Sequence, residues 1–231
     1  MLAPWGTWAA VWAVSGVVCV VARVSPAVAL IALVVVTIHE LGHWAAARTV
    51  GIPSRIAVAP AMGLTLLVDE PQRRRDAVLV SAAGPVANLL SAWAISAAGT
   101  PMFGASLLVP LSVITGLGNL LPVPILDGGH IVRALTEGSS PNRAKVQTMT
   151  SAGGCWFAVA LGALLYGVNG PTGTTLVLIG VASTLLESSG WRAFAQQHGR
   201  WAFALWASAG GVVATAAAAL TTHLLLPWLA G

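Results

Sequence analysis

The chain has 231 residues, 57% of them hydrophobic and 8% charged, with a mean hydropathy of +0.84. A soluble domain of that length needs a more polar surface, so the composition excludes one and indicates a polytopic membrane protein. The net charge of +4 reads as basic residues that set topology beside membrane spans, not as a nucleic-acid surface. Cys19 and Cys155 lie in apolar runs and are expected to pack as small residues, not to form a disulfide.

Apolar windows long enough to cross a bilayer fall at about 5–22, 27–47, 78–98, 104–121, 152–168, 173–189 and 202–226. They predict an all-α membrane protein of six to seven transmembrane helices. The first window lacks a Lys or Arg in front of it. The nearby small-x-small site, Ala27-Val28-Ala29, would cut into the next apolar run, so a retained span is expected rather than a signal peptide. The second window carries His39-Glu40-Leu41-Gly42-His43 and is stopped by Gly51 and Pro53.

Residues 51–69 do not read as a span. Arg55 to Val58 and Leu64 to Val68 look extended around Pro60 and Gly63, a β-hairpin-like segment at the interface, with an irregular loop as the alternative. The third window contains Gly84-Pro85-Val86-Ala87-Asn88. The fourth ends in Asn119-Leu120-Leu121-Pro122-Val123-Pro124-Ile125-Leu126-Asp127-Gly128-Gly129, where two prolines force an extended break. Such a break at membrane depth is tolerated when it is buried in protein or lines a wet cavity. A short helix over about 128–136 follows. The whole is expected as one transmembrane domain, residues 1–231, with a core over about 27–136 and accessory helices over about 150–231.

Charge gives the orientation. With a cytoplasmic N-terminus, ten of the eleven Lys and Arg residues face the cytoplasm and only Arg23 lies outside; the opposite orientation inverts that ratio. His39 and His43 then lie in the cytoplasmic half of the second span, and the fourth span delivers Asp127 to the same leaflet.

Ionisable groups inside a membrane are costly, each about 2.5–3.5 kcal/mol at a helix centre on insertion scales, so they point to function. Histidines four apart share one helix face and are spaced to bind one metal ion, with the intervening Glu40 as general base toward water. The plainer reading is that His39, Glu40 and His43 satisfy one another between helices. A catalytic zinc wants a third protein ligand and one open position. Asp127 and His130 are the candidates, and Asp127 also suits the N-cap of the following helix. Asn88 offers an amide either for an interhelical hydrogen bond or for a substrate backbone or oxyanion. Asn119 carries the same two readings.

These three segments, in order and approximate separation, resemble the signatures of the site-2 protease family of intramembrane zinc metalloproteases. The resemblance covers about residues 27–136. It implies that His39, His43 and Asp127 bind Zn2+, that Glu40 is the catalytic acid and base, and that Asn88 and Asn119 position substrate. It further implies a single-span membrane protein or peptide as substrate, cut within or near the bilayer. The composition fits a bacterial plasma membrane, and basic residues that set topology leave no nucleic-acid partner expected. The chain departs from many members in having no PDZ-like insertion between the third and fourth spans and no C-terminal nucleotide-sensing domain. Two rival readings are an inactive adaptor that kept the fold and a metal transporter using the same residues as a transit site. A transporter would spread ionisable groups across the bilayer, whereas here they cluster in one leaflet.

Overall fold

The computed structural model describes residues 5–21, 24–60, 62–98, 105–136, 141–166, 170–200 and 204. The chain is mostly helical, with one small antiparallel sheet, and divides into two compact units, residues 1–120 and 121–231.

The first unit holds α1 (Trp5–Val21), α2 (Pro26–Thr49), β1 (Ser54–Ala59), β2 (Met62–Leu67), α3 (Arg74–Ala98) and α4 (Ala105–Asn119). Both ends of α2 are fixed by local chemistry. Ser25 accepts the amide of Val28 at 3.3 Å and Pro26 opens the first turn. At the other end Gly51 takes φ +79°, Ile52 N–H bonds to Ala47 O at 2.8 Å and Gly51 N–H to Arg48 O at 3.1 Å. That is a Schellman cap, which needs a left-handed residue that glycine supplies without a Cβ penalty. The Arg48 guanidinium near that end suits the helix dipole and lies over the Trp44 ring at 4.8 Å.

The expected hairpin forms, with Ser54 opposite Leu67 and Ala59 opposite Met62. A two-strand ribbon is marginal by itself. Here Ala57 and Ala59 bury against Val11 and Trp8 of α1, and Leu67 packs with Ala46, Ala47 and Val80. Helices α2, α3 and α4 pack on one another, and the sheet packs on α2.

Polarity in this unit is inverted relative to a water-soluble fold. His39, Glu40, His43, Asn88 and Ser112 are buried, while Leu30 and Val34 on α2, Val86, Leu90 and Trp93 on α3, and Ile114 and Leu117 on α4 are exposed. Apolar residues facing outward around a polar interior suit a lipid solvent. Helices α2 and α3 are long and apolar enough to cross a bilayer, and Leu107–Asn119 is a shorter apolar helix. The window expected at 202–226 falls, apart from residue 204, outside the described residues.

The second unit holds α5 (Asp127–Thr136), α6 (Pro141–Tyr166) and α7 (Gly170–His198). Asp127 opens α5, as its N-cap reading anticipates to within one residue. The extended break expected before it is instead a run of bends and turns, in which Val123 is wholly buried and Leu126 N–H closes a turn onto Val123 O at 2.8 Å, because the amides that the prolines leave free bond locally. Helix α6 packs against both α5 and α7. Both long helices outrun their apolar windows, α6 by starting at Pro141 and α7 by ending at His198. Lys, Arg, Gln and Ala are good helix formers, so the helix continues where the hydropathy drops. Neither Cys19 nor Cys155 is in a disulfide, and Cys155 is buried in α6.

Candidate metal centre

Helix α2 presents His39, Glu40 and His43 inward, each only 5–7% exposed. The two imidazoles meet edge to face with centroids 4.7 Å apart, and their Nε2 atoms lie 3.0 Å apart. Two nitrogens on one tetrahedral zinc, each at about 2.0–2.1 Å, would be separated by about 3.3 Å. The pair is therefore within a few tenths of an ångström of a shared-ion geometry.

Helix α3 supplies the groups that orient these rings. His43 Nδ1 lies 2.6 Å from Val80 O. A carbonyl only accepts, so His43 carries its proton on Nδ1 and keeps a lone pair on Nε2, the state a metal ligand needs. His39 Nδ1 lies 3.2 Å from Asn88 Nδ2. Gly84 makes the approach of α3 feasible. A Cβ there would stand 2.8 Å from His39 Nε2 and press on His43 Nε2 as well. Pro85, the next residue, is also buried, and its missing N–H removes one rung of the α3 ladder.

The hairpin supplies the rest. Thr65 Oγ1 donates to Glu40 Oε2 at 2.6 Å, and Gly63 sits so close that an added Cβ would collide with the Glu40 carboxylate. The residues present fit a zinc ion on three counts. They are the paired Nε2 atoms, a backbone carbonyl behind His43, and a cradle that only glycine at position 84 leaves open.

The structure thus brings His39, Glu40, His43 and Asn88 together. Asn119, at the end of α4, donates through Nδ2 to Thr115 O one turn back, at 3.0 Å. In the second unit Asp127 opens α5 with its Oδ2 shut off from solvent, whereas His130, the rival third ligand, is exposed. Sequence reasoning missed Val80, Gly63 and Thr65. A backbone carbonyl leaves no trace in side-chain identity, and a Thr within a β-rich segment reads as an ordinary strand residue.

The sequence profile of peptidase family M50 matches residues 102–161, the segment that carries Asp127. Two curated relatives are provisionally named as zinc metalloproteases. The chain is 30% identical over 147 residues to sll0528 of Synechocystis sp., covering 59% of this chain and 39% of that protein. It is 36% identical over 107 residues to Rip3 of Mycobacterium tuberculosis, covering 42% of this chain and 27% of that protein. The chain therefore spans well under two thirds of the length of the curated relatives it matches. Among solved structures, the site-2 protease from Methanocaldococcus jannaschii aligns with a TM-score of 0.46 and 21% identity, over 68% of this chain and 73% of that one. Over these segments the chain is similar to peptidase family M50 and to proteins named as zinc metalloproteases, and it carries the His39–His43 motif on its second helix.

Proposed function

We propose that this protein is an intramembrane zinc metalloprotease that hydrolyses a peptide bond within or near the membrane-spanning segment of a membrane protein or peptide. The observation that carries the reading is the facing pair of Nε2 atoms, 3.0 Å apart, with Glu40 buried in the turn between them.

Zinc would be held by His39 and His43 of α2 and, as the resemblance to site-2 proteases implies, by Asp127. Two imidazole nitrogens and one carboxylate oxygen leave a position open, the pattern of catalytic rather than structural zinc. When bound, zinc supplies Lewis acidity, making water acidic near neutral pH and polarising a peptide carbonyl. Glu40 takes a proton from the attacking water at Oε1, with its Oε2 held by Thr65, and returns it to the leaving amine. Asn88 and Asn119 position the substrate backbone.

A helical substrate hides its carbonyls in i to i−4 bonds and must unwind before attack. The sheet has two strands, so one edge of β2 has no strand neighbour among the described residues. That edge receives the unwound segment by strand addition. The distribution of Lys and Arg supports a cytoplasmic N-terminus and a site opening toward the cytoplasm of a bacterial cell.

The test compares the membrane proteomes of native cells carrying wild-type protein or Glu40→Gln. A membrane protein that accumulates intact in the mutant, with its cytoplasmic fragment lost, supports the proposal and names the substrate. No difference across growth and stress conditions, with zinc still bound, favours the inactive adaptor.

A further inference from the structure

From the hydrogen-bond chain through the two histidines, we infer that Asn88 is a positioning residue for zinc, its carboxamide oxygen accepting the Nδ1 proton of His39 in the loaded protein. This rests on the proposed zinc site and assigns Asn88 a part in it beyond holding substrate.

The argument follows the protons. Val80 O fixes the His43 proton on Nδ1, so His43 Nε2 accepts and His39 Nε2 must be the donor across their 3.0 Å contact. His39 Nδ1 is then an acceptor, and Asn88 Nδ2 donates to it at 3.2 Å. The chain runs one way, from Asn88 through His39 and His43 to Val80. It is self-consistent without metal, but it leaves His39 with a proton where a ligand needs a lone pair. Loading the site through His39 Nε2 requires that proton on Nδ1, and Nδ1–H requires an acceptor.

Asn88 provides one. It is fully buried, and its Oδ1 has no hydrogen-bond partner within the described residues. The oxygen and nitrogen of a carboxamide are distinguished by their partners, and a half-turn exchanges them within the same volume. Turned, the oxygen faces Nδ1–H. The NH2 group then occupies the buried position that lacks a protein partner, a donor left for a carbonyl of bound peptide. A residue with a single kind of hydrogen-bonding atom could not serve both arrangements.

The experiment is competitive zinc titration of the purified protein in lipid nanodiscs, for wild type, Asn88→Ala, Asn88→Leu and Asn88→Asp, with thermal unfolding as the fold check. Outer-shell partners of ligating histidines are worth about 10–100-fold in metal affinity. Asn88→Ala and Asn88→Leu should therefore lose about that much, while Asn88→Asp, which only accepts, should bind zinc at least as tightly as wild type. Unchanged affinity in the Ala and Leu variants overturns the inference and confines Asn88 to substrate. If neither folds, Asn88→Asp decides alone, and affinity more than about tenfold below wild type overturns the inference, because it marks the amide as donor to His39. Failure of wild type itself to bind zinc overturns this inference and the zinc-protease reading together.

Discussion

Thr65 Oγ1 and Glu40 Oε2, 25 residues apart in the chain, form a hydrogen bond of 2.6 Å that ties the hairpin to the carboxylate between the two histidines. The hairpin is therefore part of the site as well as a surface beside it. Hydrogen bonds to charged groups are worth about 1.5–3 kcal/mol. Thr65→Val, close in shape but without the hydroxyl, should lower peptide-bond cleavage about 10–100-fold with zinc content unchanged. Thr65→Ser should restore most of the loss. Equal activity in the Val and wild-type proteins, assayed on one reconstituted substrate, would show that the bond has no part in turnover.

Gly63 tests the same contact from the steric side. A Cβ at this position would overlap the Glu40 side chain, so Gly63→Ala must push either the strand or the carboxylate. Overpacking of this kind costs about 1–3 kcal/mol. If that strain falls on the carboxylate, turnover should drop by about 5- to 150-fold, while zinc stoichiometry by elemental analysis stays at the wild-type value.

Gly84→Ala should separate metal from chemistry in the opposite sense. The new methyl group would stand 2.8 Å from His39 Nε2, in the space between the rings and α3. Here zinc content itself should drop, and activity with it. Retention of full zinc by a folded Gly84→Ala protein would show that α3 yields at this point.

Glu40→Gln keeps the shape of the side chain and removes its capacity to take a proton. General acid–base groups contribute about 10²–10⁴ in rate, so cleavage should fall by at least about 100-fold with zinc retained. Chelation of wild-type protein should abolish cleavage, and zinc should restore it; chelation of the Glu40→Gln protein should leave its residual rate at background.

What could be read from the sequence was local. Residues four apart on a helix share a face, so His39 and His43 were identifiable before any fold. Gly51 and Pro53 marked the stop of α2, and the paired extended runs around Pro60 and Gly63 marked the hairpin. Asp127 ahead of Gly128 and Gly129 marked the start of α5. What escaped was non-local. Val80 contributes a carbonyl that any residue would possess, and Thr65 matters only because the sheet packs on α2. The ends of α6 and α7 escaped for another reason, since hydropathy tracks the solvent around a helix whereas the hydrogen-bond ladder follows propensity past it.

The cap at Gly51 also sets a depth. An α-helix rises 1.5 Å per residue, so His43 lies about 9 Å and His39 about 15 Å before Thr49, the last residue of α2. A bilayer core is about 30 Å thick, so if the capped end of α2 marks its edge, as the proposed orientation has it, water from that end would cross about a third of it to reach His43 and about half to reach His39. Each peptide hydrolysis consumes one water molecule, and entry from one side would deliver it without a conduit through the whole membrane. On the proposed function the same distance would put the severed bond within about three helical turns of the aqueous boundary, close enough for one product to leave into water while the other stays in lipid.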